Sequence, residues 1–290
     1  MRQDGRIIAL FIASILVIVA ITGGGLVYSI KLSFYASQAF NETPKWVGLA
    51  NYVQLVQDPA FWAALVNGLE ISLSAILLQT VIGVAIALVL NQKFHGQGVV
   101  RALAVLPYFL PPVVAVLVGK WIFDPNYGLI KYATSAVGLR MFDWGADAWS
   151  AKGMIVLVSL WLWTPFVTTC VLAALQNIPE HLYEAARVDG ATAWQQFWHI
   201  TFPGLKSILI IVILLRSIWM FNKFDVIWLL TKGGPLDQTE TLPILAYRRA
   251  FVEFNLGSGA TVATVSFLLL AVVVLLYLKL FPIDDAKNPV

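Results

Sequence analysis

The chain has 290 residues, of which 59% are hydrophobic and 12% charged, with a net charge of +3. A soluble domain holds about 45–50% apolar and about 25% charged residues, so these proportions exclude an ordinary water-soluble fold and point to lipid as the solvent. So small a net charge, with no basic stripe of Lys and Arg, excludes a nucleic-acid surface.

Runs of about 20 apolar residues can cross a bilayer as helices, in which every backbone N–H is paired internally. Six such runs occur, at about 7–30, 69–90, 102–123, 153–175, 205–230 and 260–281. They predict an all-α membrane protein of one domain, residues 1–290, with six transmembrane helices. Arg2 and Arg6 precede the first run as they would in a signal peptide. The run is too long for one and no small-x-small cleavage site follows, so an uncleaved anchor is expected. Pro107, Pro111 and Pro112 interrupt the third run and Pro165 the fourth, as kinks that can serve gating but more commonly serve packing. Cys170 sits in an apolar run and reads as a small core residue. An even number of spans puts both termini on one side. That side holds Arg2, Arg6, Lys93, Arg101, Arg187, Lys206, Lys279 and Lys287 in the shorter segments, which favours cytoplasmic termini.

No phosphate-binding loop is present; Gly204-Leu205-Lys206-Ser207 lacks the upstream glycine of that motif. Proton- or ion-coupled transporters usually bury acids or His in the membrane, and here Asp225 is the clearest candidate. The energy for any pumping would therefore come from a partner.

The segment 177–203, between the fourth and fifth runs, is heavily punctuated. Asn177 with Glu180 and Pro179 reads as a helix start, Gly190 as a left-handed stop, Thr192 with Gln195 as a second capping box, and Pro203 as a boundary. The pattern predicts helix, glycine turn, short helix: a knob that holds one shape. Glu184-Ala185-Ala186, Asp189-Gly190-Ala191, Ile200 and Pro203 resemble the EAA loop of binding-protein-dependent ABC importers. Residues 46–62, 106–129 and 224–251 resemble the permeases of that group that carry maltose, glycerol phosphate and other carbohydrates, without the large periplasmic insertion of the maltose subunit.

The resemblance implies a type I permease fold with a cytoplasmic coupling helix, in a bacterial or archaeal inner membrane. It implies a second permease subunit, most often a different chain, and an ATPase dimer that binds ATP and Mg2+, leaving this chain no cofactor and no catalysis. It implies an extracytoplasmic binding protein touching loops near Asn126–Lys131 and Lys232–Leu242, and a carbohydrate substrate. Glu184, Ala185, Ala186, Asp189, Gly190 and Ala191 would couple to the ATPase.

In the fifth run Arg216, Trp219, Met220 and Lys223 fall at i, i+3, i+4 and i+7, one helical face, and match the sugar-contacting face of maltose-type permeases. Charge inside a span normally faces the bundle interior or a wet cavity. Arg216 and Lys223 suggest an anionic sugar such as a uronate, sulfonate or phosphate ester, and Trp219 a stacking platform. Lys223 could instead snorkel to the interface, and Arg216 could pair with an acid of a partner permease. Asn222 and Asp225 lie on a neighbouring face, lining the path or satisfying each other. Two other classes stay open: an ion-coupled secondary transporter and a non-transporting membrane scaffold subunit.

Overall fold

A computed structural model describes residues 2–38, 43–124, 126–138, 145 and 147–282, without the side chains of residues 2–10 and 13. Among them the helices are α1 (Arg2–Leu32), α2 (Ala50–Gln57), α3 (Pro59–Asn91), α4 (Gln97–Val105), α5 (Pro112–Ile122), α6 (Leu129–Ala136), α7 (Ala148–Leu175), α8 (Glu180–Val188), α9 (Ala193–Gln196), α10 (Phe202–Phe221), α11 (Asp225–Leu230), α12 (Leu242–Tyr247) and α13 (Leu256–Leu280). The strands β1 (Tyr35–Ala36) and β2 (Lys45–Trp46) pair antiparallel, with Tyr35 opposite Trp46. Among the described residues five helical stretches are long and apolar enough to span a membrane, and a bent pair makes up to six. The chain divides into two compact units, Met1–Ala63 with Leu242–Leu269, and Ala64–Thr241 with Leu270–Val290.

In the first unit, polar side chains tie short elements together. Asn51 donates to the carbonyls of Ser33 (2.8 Å) and Tyr35 (3.0 Å), and the hydroxyls of Ser33 and Tyr52 share a hydrogen bond of 2.6 Å. Arg249 pairs with Asp58 and donates to the Ser258 hydroxyl (3.1 Å). In α1, by contrast, Phe11, Leu16, Ile18, Ile21 and Val27 are all exposed, as suits a helix whose solvent is hydrocarbon.

The second unit is built on α7. Asp147 caps it by accepting from the Ser150 N–H (3.0 Å), and Ser150 reaches back to the Asp147 N–H (3.3 Å). Pro165 does not interrupt this helix: it is buried inside an unbroken run from Ala148 to Leu175. Helices α3, α7 and α10 share a core of Ala87, Val167, Val171, Leu175, Leu205, Leu209 and Val212. Close approach of α3 to α7 depends on Gly83, where a Cβ would lie 2.7 Å from a methyl of Val167.

Two predicted spans differ from single helices. The third is two helices, α4 and α5, bent by 100° about residues 106–111. Leu110 and Pro111 each precede a proline, which disfavours the helical conformation, and both are extended (ψ 136° and 129°). The fifth stops at Phe221 and resumes at Asp225. There the Asn222 amide donates to the Ile218 carbonyl (3.1 Å) and competes with the helical ladder.

Candidate functional site

The chemistry-bearing residues gather at two places in the second unit. The first is the segment from Asn177 to Pro203. Helix α8 ends in a Schellman motif: the Gly190 N–H donates to Arg187 O (3.1 Å) and the Ala191 N–H to Ala186 O (2.9 Å). This needs a left-handed residue, and Gly190 has φ +76°. Thr192 then caps α9 in the expected box, with Gln195 Oε1 accepting from the Thr192 N–H at 2.8 Å. Asn177 does not start α8 as expected. Its amide donates back to Ala173 O (3.1 Å), and the cap position falls to Pro179. Pro203 does mark the start of a helix. It occupies the first turn of α10, where its missing N–H costs nothing, and a π-helical turn, Phe197–Thr201, joins α9 to α10.

The knob is fastened to the core by Tyr183, whose hydroxyl shares a 2.9 Å hydrogen bond with Thr201. Ile178 also packs so tightly on α10 that a Cβ at Gly204 would sit 2.7 Å from its terminal carbon. Its outer face is open: Glu184, Ala185, Asp189 and Gly190 are exposed, with Ala186 and Ala191 partly so. Val188 at the end of α8 is 87% exposed and Trp194 in α9 70%, bare apolar side chains among polar neighbours. A hollow of about 330 Å³ lies beside Gly190, lined by Ala186, Asp189, Gln195, Gln196 and His199 among others.

The second place is a cavity of about 550 Å³ lined by Tyr108, Trp163, Arg216, Ile218, Trp219, Asn222, Lys223, Phe224 and Asp225. Tyr108 comes from the break between α4 and α5, Trp163 from the middle of α7, and the others from the end of α10, the gap before α11 and the first residue of α11. Irregular backbone is tolerated at membrane depth where it lines such a cavity. Of the four residues expected on one face, Arg216, Trp219 and Lys223 reach the cavity. Met220 is 2% exposed and does not line it, because it is turned into the core.

Arg216 is 1% exposed. Its Nε donates to Gln79 Oε1 (2.8 Å), and the Gln79 amide donates to Ser159 O (3.0 Å). The guanidinium carbon lies 5.5 Å from the Trp163 ring centre and 5.8 Å from that of Trp219, within cation–π range. Among the described residues no carboxylate pairs with it. Lys223 forms an ion pair with Asp225 (3.2 Å) and lies 4.1 Å from the Trp163 ring centre. Asp225 therefore answers Lys223, not Asn222. Aromatic contacts link the walls: Tyr108 with Trp163 at 5.9 Å, and Phe166 with Trp219 at 5.1 Å.

Gln79, Trp163 and Tyr108 were not singled out from the sequence. Gln79 carried a usable signal as a lone amide within the apolar run of α3. Trp163 carried another, since it falls in the middle of a span rather than at the interface where Trp is usual.

Residues 79–282 match the family described as binding-protein-dependent transport system inner membrane component. A trehalose/maltose transport system permease protein of Thermococcus litoralis is 34% identical over 251 residues, 86% of this chain and 84% of the relative. A trehalose transport system permease protein of Mycobacterium tuberculosis is 30% identical, covering 92% of this chain and 85% of the relative. Among solved structures, a bacterial ABC transporter involved in the import of the acidic polysaccharide alginate superposes with a TM-score of 0.83 at 22% identity, covering 96% of both chains; this likeness speaks to the fold. The matched family region runs from Gln79 in α3 through the knob and the cavity to the end of α13, and on that match the chain belongs to the binding-protein-dependent transport system inner membrane component family.

Proposed function

We propose that the chain forms one half of the translocation pathway of an ATP-driven carbohydrate importer. The observation that carries this reading is the construction of the knob. It is closed by local turn and capping bonds, its exposed face sets the small Ala185 and Gly190 and the apolar Val188 and Trp194 among charged residues such as Glu184 and Asp189, and the helical path from α9 runs through the π-helical turn into α10, whose far end lines the cavity. A partner that gripped the knob could move the cavity wall directly. The relatives named for trehalose and maltose transport support a carbohydrate as cargo, and the aromatic walls suit the apolar faces of sugar rings.

In this reading the knob is cytoplasmic and seats against an ATPase dimer that binds ATP and Mg2+. The termini lie on the same side. A second permease supplies the other half of the pathway, and an extracytoplasmic binding protein delivers the sugar. Coupling requires two conformations of the permease that the ATP-bound and ATP-free partner distinguish energetically, since contact alone shifts no equilibrium.

The test has two arms. In the assembled complex Ala185→Arg, which puts bulk on the exposed face of α8, should reduce ATP-dependent sugar uptake at least tenfold while the permease still inserts. A cysteine at Val188, in a Cys170→Ala background, should react with an impermeant maleimide only from the cytoplasmic side. Unchanged uptake in the first arm, or labelling from outside in the second, would refute the reading.

A further inference from the structure

Two side chains that line the cavity carry buried hydrogen-bond donors without acceptors. Arg216 is almost completely buried, yet its Nη2 has no hydrogen-bond partner, and the buried Nε1 of Trp163 has none. Both side chains line the cavity. A buried donor left unpaired is expensive, and more so when charged. Two neighbouring donors, one of them cationic, form a site that wants an acceptor with negative charge.

The charge balance narrows the ligand. Lys223 is answered by Asp225, so that pair is neutral as a whole. Arg216 has Gln79, a neutral amide, and two aromatic rings, none of which cancels its charge. The cavity is therefore left with about one net positive charge, which fits a monoanion better than a phosphate ester, which carries about −1.5 to −2 at neutral pH. A guanidinium presents a planar fork to the two oxygens of a carboxylate. Tyr108, Trp163, Trp219 and Phe224 supply flat apolar faces, and the volume suits a small ligand.

From this we propose that the cavity selects a sugar acid, a hexuronate residue, whose carboxylate is received by Arg216 and Trp163. Gln79 is the positioning residue: tied to Ser159 on one side, it takes the Arg216 Nε and leaves the Nη2 for the ligand. The inference rests on the importer reading and specifies its cargo.

The experiment uses the assembled complex with its ATPase, partner permease and binding protein in proteoliposomes. The probes are di- to tetrasaccharides of galacturonate and glucuronate, their neutral methyl esters of nearly the same shape, and a hexose 6-phosphate. Comparing variants at fixed binding protein isolates the contribution of the cavity. The wild type should take up the acid about tenfold or more faster than the ester, the scale of one charge-assisted hydrogen bond. Arg216→Gln should bring that ratio to about one, Arg216→Lys should restore part of it, and Trp163→Phe should lower it while keeping the ring. Where Arg216→Gln fails to assemble, Gln79→Glu decides: a carboxylate there neutralises the guanidinium and should erase the preference for acid. A structural role for Gln79 alone would lower uptake of acid and ester equally.

Equal uptake of acid and ester by the wild type, or an acid preference unchanged in Arg216→Gln or Gln79→Glu, overturns the proposal and leaves the importer reading standing. Faster uptake of the hexose 6-phosphate overturns the assignment to a monoanion. Absence of ATP-dependent uptake of any carbohydrate overturns both.

Discussion

The knob and the cavity are put together in opposite ways. The knob is held by contacts between near neighbours: Ala191 to Ala186, Gly190 to Arg187, Thr192 to Gln195. The cavity is held by contacts across the chain: Arg216 reaches Gln79 over 137 positions, and Gln79 reaches Ser159 over 80. The first kind of structure forms wherever the right residues follow one another. The second exists only once α3, α7 and α10 have packed. A segment that must keep its shape while standing clear of the core gains from local bonding. A site that must hold a buried charge needs partners from several helices, because no short stretch could surround it.

That contrast can be attacked from both sides. The largest effect is expected at Gln79→Leu, which leaves the Arg216 Nε buried and unpaired at a cost of about 2–3 kcal/mol. A lowered thermal midpoint of the purified complex, with the knob's cysteine reactivity unchanged, would support separate construction of the two regions. If the knob loosened with the cavity, the separation would be wrong. Next in size is Gly190→Val. A β-branched residue at φ +76° is strained by about 1–3 kcal/mol, and the Schellman turn should open. Hydrogen exchange should rise at Gly190 and Ala191 and stay unchanged around Arg216.

Thr192→Ala removes one side of a capping box and should cost about 1 kcal/mol. The result should be faster exchange confined to the first turn of α9, and spread into α10 would show that the π-helical turn transmits disorder as well as motion. The smallest effect concerns Asp147. Its hydrogen bond from the Ser150 N–H, with partial desolvation pulling the other way, holds its carboxyl below the ordinary value of 3.8. A depressed folded-state value means that the stabilisation is present above the ordinary value and fades as pH falls through and below it. Wild-type stability should therefore decline more steeply below about pH 4 than that of Asp147→Asn, in thermal melts across an acid series; parallel curves would remove the cap from the account.

The two helix breaks separate what was legible from what was not. At residues 106–111 the prolines announce an interruption, and the extended Leu110 and Pro111 follow from proline's demand on the residue before it. The size of the bend, 100°, does not follow from that demand. At Asn222 neither Gly nor Pro marks the stop, so periodicity carried the fifth run straight on to Leu230. The same straight helix placed Met220 beside Arg216 and Trp219 on the presumed pathway, although the packed core takes Met220.

From sequence alone, hydrophobic run length and turn chemistry were enough to determine a helical membrane protein, the stop of one knob helix at Gly190 and the capping box of the next at Thr192. All three depend on forces acting within about one turn of helix or on total apolar length. The partner of Arg216, the fall of Met220 into the core and the buried donors left unpaired beside a cavity were decided only when distant helices met, because a buried charge is governed by everything that surrounds it, and that surrounding is assembled from residues far apart in the chain.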